Sequence, residues 1–200
     1  MVNYPIYHIT HYQNLAGIIQ SGGLHCDKGT HVYRNIGYGH IKERRKTHPI
    51  PCWKAVCLGD CVPFYFGCRS PMLYVIHSGG VENYFGGQRE TIYLVSSTNL
   101  IFQSSLKWCF TDGHAVEVLT NYYTDDFDLD RLDWDSINAR QWANSDENPD
   151  RKRKKQAEFL VQKFFPLQYI QKIGVFDDKM LETIGQQIDI PISKEPSWYY

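Results

Sequence analysis

The sequence predicts an α+β fold, and three observations carry that reading. Short runs rich in aromatic and β-branched residues, bounded by Gly and Pro, recur along the chain as strands. One amphipathic segment with a start and a stop signal reads as a helix. The 200 residues, 42% hydrophobic and 14% aromatic, suffice for the core of one ordinary globular domain, here taken as residues 1–200.

Ile6-Tyr7-His8-Ile9 is the first strand. A helix over His11 to Gln20 follows, with Thr10 and Gln13 at capping-box spacing, Leu15, Ile18 and Ile19 as its apolar stripe, and Gly22-Gly23 as its stop. From His25 to Pro51 the chain is polar, Gly-rich and then basic, the composition of a long functional loop, with a helical turn near Ile41 to Lys46. Val62 to Phe66, Met72 to Ile76 and Thr91 to Val95 read as strands.

Between Tyr122 and Asp150, six aspartates from Asp125 to Asp135 interleave with Phe127, Leu129, Leu132 and Trp134, the pattern of a partly packed surface excursion. The charge then inverts into five consecutive cations, Arg151 to Lys155, read as a solvated run. Gln156 to Val161 reads as a further strand, with Glu158 and Leu160 on one face and Phe159 and Val161 on the other.

A formal net charge of −1 excludes a generally basic nucleic-acid wrapper but leaves room for local patches. No apolar run approaches the roughly 20 residues that span a bilayer, and the N-terminal MVNYPIYHIT lacks a signal-peptide pattern, so a cytoplasmic protein without membrane contact is expected. In that compartment the six cysteines are expected as free thiols. Cys52, Cys57, Cys61 and Cys68 follow C-x4-C-x3-C-x6-C, which is not the paired C-x2-C spacing of a zinc site, and no metal is expected. The G-x-G-x-x-G and G-x-x-x-x-G-K-[ST] fingerprints are absent, which argues against Rossmann and P-loop chemistry.

Glu158 is an isolated carboxylate in an apolar strand and admits two readings. It pairs with Lys154 or Lys155 on a solvated face, or it sits at the mouth of a pocket, where a fixed carboxylate orients a sugar hydroxyl and stabilises a developing cation. His8 and Thr10 share a strand face. Arg44-Arg45, flanked by Lys42 and Lys46 and preceded by Gly37 and Gly39, offers guanidinium forks suited to diphosphate oxygens, or forms a solvated basic loop. Arg69-Ser70-Pro71-Met72 reads as a turn between strands, and Thr111-Asp112-Gly113-His114 as a second turn carrying a histidine.

Taken in order, several blocks resemble the DarT family, the DNA ADP-ribosyltransferase toxins of DarT–DarG systems. They are Tyr7-His8-Ile9-Thr10-His11 with Asn14-Leu15, Gly22-Gly23-Leu24, Ile36-Gly37-Tyr38 with Arg44-Arg45, Val62 to Phe66, Arg69 to Tyr74, Asp112 to Ala115, Ala157 to Val161, and Trp198-Tyr199-Tyr200. The resemblance implies an ADP-ribosyltransferase fold, a split antiparallel or mixed sheet with peripheral helices, that uses NAD as co-substrate and modifies a base of single-stranded DNA, most often thymidine.

By position, the resemblance makes Glu158 and Arg45 catalytic, puts Arg45 also in the NAD site near the diphosphate and the acceptor, and places His8 and Thr10 at the adenosine and ribose end of NAD. Asn14, Leu24, Tyr38, Met72 and His114 belong to blocks on the NAD side of the cleft. The stretch at about 120–155 occupies the place of the substrate-recognition loop, and Arg151, Arg153, Lys154 and Lys155 are expected on the DNA backbone. The implied partners are single-stranded DNA and a DarG-like macrodomain antitoxin, and the protein is expected as a monomer. The same fold acting on guanosine, RNA or protein, and a non-catalytic single-strand binder, are the competing readings.

Overall fold

The computed structural model describes residues 3–31 and 33–200. Strand β1 (Pro5–His11) leads through a 3-10 turn at Tyr12–Asn14 into helix α1 (Leu15–Gln20), then β2 (Gly23–His25), α2 (Gly39–Thr47), β3 (Cys61–Tyr65) and α3 (Pro71–His77). Next come β4 (Thr91–Ser97), α4 (Thr98–Phe102), β5 (Trp108–Thr111), β6 (Tyr122–Tyr123), α5 (Trp134–Asn138) and α6 (Arg151–Lys154). The chain closes with β7 (Glu158–Gln162), β8 (Phe164–Pro166), β9 (Lys172–Val175), α7 (Asp178–Ile184) and β10 (Ile192–Lys194).

Eight strands form one sheet in the order β10-β9-β4-β1-β3-β7-β5-β6, antiparallel except for the parallel β10–β9 pair, while β2 and β8 make a separate ribbon. Strand β4 lies inside the sheet with all seven residues buried. Its alternation splits the packing: Ile92 and Leu94 enter one core with Ile6, Phe64 and Phe159, and Tyr93 and Val95 enter another with Ile9, Leu73 and Tyr199. Strand β7 alternates as expected, Phe159 and Val161 facing the first core and Leu160 a third one with Cys61 and Cys109.

The split lies between β1 and β3. Strand β1 pairs with β4 from Pro5↔Ser97 to His11↔Thr91, and β3 with β7 from Cys61↔Gln162 to Tyr65↔Glu158. Strands β1 and β3 meet only at Tyr7↔Tyr65. Where they diverge, His8 Nδ1–H donates to the Pro63 carbonyl at 2.8 Å, a side chain standing in for a ladder bond.

Two local expectations are corrected. Met72 to Ile76 is helical: Ser70 caps the helix by accepting the Leu73 N–H at 3.2 Å, and Pro71 occupies its first turn. Leu73 and Ile76 are buried three apart on one helix face, a spacing that a five-residue apolar run hides. The segment from His11 to Gln20 is not one helix. His11 stays in β1 opposite Thr91, and its Nδ1, not Thr10, accepts the Gln13 N–H at 3.1 Å. The stop is as expected, with Gly22 at φ +77, where a side chain would be strained. The helical turn near Ile41 extends to the nine residues of α2. In the acidic excursion Leu129, Leu132 and Ile137 are buried, while Phe127 stays exposed.

Candidate active site

Glu158 opens β7, opposite Tyr65 of β3. Its backbone N–H donates to Thr111 Oγ1 at 3.0 Å, and the Thr111 hydroxyl donates to the Gly113 carbonyl at 2.7 Å. Its carboxylate accepts the Ala115 N–H at 2.9 Å and the Arg45 Nη1 donor at 2.8 and 3.1 Å on its two oxygens. Glu158 is 2% exposed and Arg45 8%. Burial by itself lowers the pKa of the Arg45 guanidinium, but the facing Glu158 charge outweighs it and the net shift is upward, so Arg45 is a fixed cation. Burial and the Glu158 charge both push the Tyr65 phenol up, keeping it protonated.

A buried ion pair is weak evidence for stability, because desolvating both charges offsets their attraction. Two polar atoms beside it point to chemistry instead. Arg45 Nη2 and His114 Nδ1 are buried with no hydrogen-bond partner among the described residues. Burial lowers the His114 pKa; Glu158 and Glu117 pull it up, and Arg45 and Arg44 push it down, with a net shift toward the neutral imidazole.

The pair sits in a cleft of about 410 Å³ between the diverging strands, α2, α3 and the segment at 33–38. His8, Thr10, Asn14, Leu24, Tyr38, Arg45, Met72, His114 and Glu158, scattered over 151 positions of sequence, all line it. Asn14 ties the 33–38 segment down: its Nδ2 donates to Thr10 Oγ1 and to the Arg34 carbonyl, both at 3.0 Å, and its Oδ1 accepts the Arg34 N–H at 2.7 Å. Because Thr10 Oγ1 accepts from Asn14, its own proton is available to donate elsewhere. Packing lowers the His8 pKa, and with Nδ1–H given to Pro63, the neutral ring offers Nε2 as an acceptor.

The basic run is not the solvated one expected. Lys155 is 2% exposed and donates to the Ile137 carbonyl at 2.5 Å; Lys154 pairs with Asp133 at 3.0 Å. The Arg153 guanidinium reaches Asp112 at 2.7 Å, Asp150 at 2.6 Å and Thr120 at 3.1 Å, and its carbonyl accepts the His114 N–H at 3.0 Å. The acidic excursion and the turn at 112–114 supply carboxylates that the linear charge pattern keeps apart. Arg153, Lys154 and Lys155 therefore knit the site's frame together. Arg151 is absent from the cleft wall, whereas Lys152 and Gln156 line it.

Sequence reasoning passed over Tyr65 and Ala115, although both stood inside quoted blocks. Tyr65 could have been found from strand pairing with Glu158. Ala115 acts through its backbone N–H, which no side-chain pattern reveals.

The sequence of the DarT family, described as ssDNA thymidine ADP-ribosyltransferase, matches residues 7–200. The chain is 40% identical over 204 residues to a DNA ADP-ribosyl transferase of Thermus sp. (strain 2.9), covering 98% of this chain and 96% of that protein. It is 31% identical over 188 residues to the DNA ADP-ribosyl transferase of Mycobacterium tuberculosis, covering 92% and 81%. Its structure matches Thermus sp. 2.9 DarT in complex with ADP-ribosylated ssDNA at a TM-score of 0.88, with 39% identity and coverage of 98% and 96%. The same Thermus protein in complex with NAD+ matches at a TM-score of 0.83, with 37% identity and coverage of 98% of each chain. Fold, cleft and relatives together define an ADP-ribosyltransferase. Within that class, the chain belongs to the DarT family.

Proposed function

We propose that this chain transfers the ADP-ribosyl group of NAD+ to the base of thymidine in single-stranded DNA, with Glu158 and Arg45 as its catalytic residues. The observation that carries the reading is the buried Arg45–Glu158 pair at the head of β7, set in the cleft that also gathers the residues expected around NAD. NAD+ supplies the ADP-ribosyl group with nicotinamide as the leaving group, which departs with the electron pair of the glycosidic bond.

Glu158, held by the Ala115 N–H and by Arg45, opposes the positive charge that develops on the ribose, an effect typically worth about 3–4 kcal/mol for one preorganised group. Arg45 stays protonated and cannot take a proton, so it works by charge, with Nη2 turned to anionic oxygens. The thymine ring nitrogen that bonds to the ribose must lose its proton, and the neutral imidazole of His114 is the cleft group suited to accept it. His8 and Thr10 hold ribose hydroxyls, the first by accepting and the second by donating. A base has to leave its stack to reach such a cleft, which favours single strands.

Incubation of wild-type protein with NAD+ and an oligonucleotide containing a single thymidine should add one ADP-ribosyl group, and the same oligonucleotide with cytidine in its place should gain none. Modification of both, or of neither, contradicts the assignment. The activity calls for a partner that removes the mark, a DarG-like macrodomain antitoxin, so expression without one should be toxic and co-expression should restore growth. A reducing cytoplasm suits the six free cysteines, and among the described residues no helix is long and apolar enough to cross a membrane.

A further inference from the structure

A second cavity of about 340 Å³ adjoins the cleft, and Lys152 and Gln156 line both. The turn at Glu117, Val118 and Leu119 forms part of its wall. Val118 is 96% exposed and Leu119 75%, so neither side chain serves the core. Their turn is nevertheless fixed: the Glu117 N–H donates to the His114 carbonyl at 3.0 Å, the Thr120 hydroxyl to the same carbonyl at 2.8 Å, and the Thr120 N–H to the Glu117 carbonyl at 3.1 Å. Two aliphatic side chains held out from a stiff turn, beside the segment that supports Glu158, call for a binding explanation.

We infer that this groove seats the base of a nucleotide next to the target thymidine and reads its identity, an inference that rests on the DNA-modifying function proposed above. Val118 and Leu119 offer an apolar wall to the face of a base. In the same cavity, Asn144 Oδ1 accepts the Lys152 N–H at 2.8 Å, which directs its amide hydrogens elsewhere. Gln156 gives one amide hydrogen to the Lys152 carbonyl at 3.0 Å and keeps its own carbonyl oxygen for a donor. One donor and one acceptor in a cavity with an apolar wall match a base edge and face. The Asp150 carboxylate in the groove is neutralised by Arg153, and the exposed Glu117 carboxylate repels phosphate, so the base and not the backbone enters. The exposed Lys152 ammonium, at the junction of the two cavities, suits the phosphate that links this nucleotide to the thymidine.

The test uses oligonucleotide pools with one fixed thymidine and randomised neighbours, modified by wild-type protein, by the exposed-residue double variant Val118→Ser/Leu119→Ser and by Gln156→Ala at a half-buried position. The double variant should raise the KM for DNA by about tenfold, the size of a lost base contact, with the KM for NAD+ and the melting temperature unchanged. Both variants should flatten the preference at one flanking position only. Wild-type preference and wild-type DNA KM in the double variant overturn the inference, as does a variant that loses only binding to a protein antitoxin. Wild-type protein that modifies no pool at all overturns the proposed function, and this groove with it.

Discussion

One guanidinium nitrogen of Arg45, Nη1, donates to both carboxylate oxygens of Glu158, at 2.8 and 3.1 Å, across 113 positions of sequence. The contact brings the last turn of α2 against the first residue of β7 and leaves Arg45 Nη2 buried without a partner among the described residues. Arg45 thus both restrains the carboxylate and keeps a donor for a ligand anion.

Removing one member of such a pair strands the other. Arg45→Met should destabilise the fold by about 3–5 kcal/mol, and Arg45→Met/Glu158→Gln should recover most of that loss. Urea unfolding of the single and double variants measures the recovery, and additive losses contradict the pairing. Arg44, exposed and with the Val116 carbonyl at 3.4 Å as the one hydrogen-bond partner of its guanidinium among the described residues, is the control. Arg44→Ala should change stability by no more than about 0.5 kcal/mol.

Arg153 acts through the turn it holds. A Cβ on Gly113 would lie 2.4 Å from the Arg153 guanidinium, so Gly113→Ala and Arg153→Lys should both displace the Ala115 N–H from Glu158. Both should lower kcat at least tenfold, with the KM for NAD+ little changed. Normal kcat in a folded Gly113→Ala protein removes Arg153 from the positioning role.

The strands came through from pattern. Period-two alternation put Glu158 and Leu160 together on β7, and aromatic, β-branched runs marked β1, β3 and β4. The helix α3 escaped because Leu73 and Ile76 fit a strand run as well as a helix face, and only Ser70 and Pro71 at the start decide between them. The basic run misled for a different reason: beyond the local Asp150–Arg153 pair, Asp112 and Asp133 reach Arg153 and Lys154 only through folding, so a charge pattern read along the chain shows cations without those partners. The gathering of His8, Arg45, His114 and Glu158 into one cleft was legible only through family resemblance, since spacing over such distances carries no geometry.

His114 gives the reaction a pH signature. Burial lowers its pKa from the ordinary 6.5, against the pull of Glu158 and Glu117 and with the push of Arg45 and Arg44. The imidazole is therefore neutral at pH 7 and gains its proton only in more acid solution. Activity on DNA should hold through neutrality and fall below pH 6.5 as His114 protonates. In His114→Gln this acid limb should vanish and the rate should be low throughout. An unchanged limb in that variant assigns the proton to another group.

Lys155 should leave its mark on stability. Burial depresses its pKa from 10.5 to about 8, so in the pH window between these values the unfolded chain holds a proton that the folded protein has released. Stability attributable to Lys155 must then rise with pH, by about 3 kcal/mol across that window. Denaturant unfolding of wild type and Lys155→Met at pH 7 and pH 10.5 isolates the contribution: wild type should gain on the variant. A constant difference shows that the ammonium is not desolvated.

The most direct test of Glu158 as the catalytic carboxylate is the intact mass of a single-thymidine oligonucleotide followed over time with NAD+ and either wild-type protein or Glu158→Gln. The variant keeps the side chain's shape and removes its charge. Wild type should add one ADP-ribosyl group, and Glu158→Gln, shown folded by its melting curve, should do so about a hundredfold more slowly or not at all. A folded Glu158→Gln protein that modifies the oligonucleotide at the wild-type rate would contradict the account at its centre.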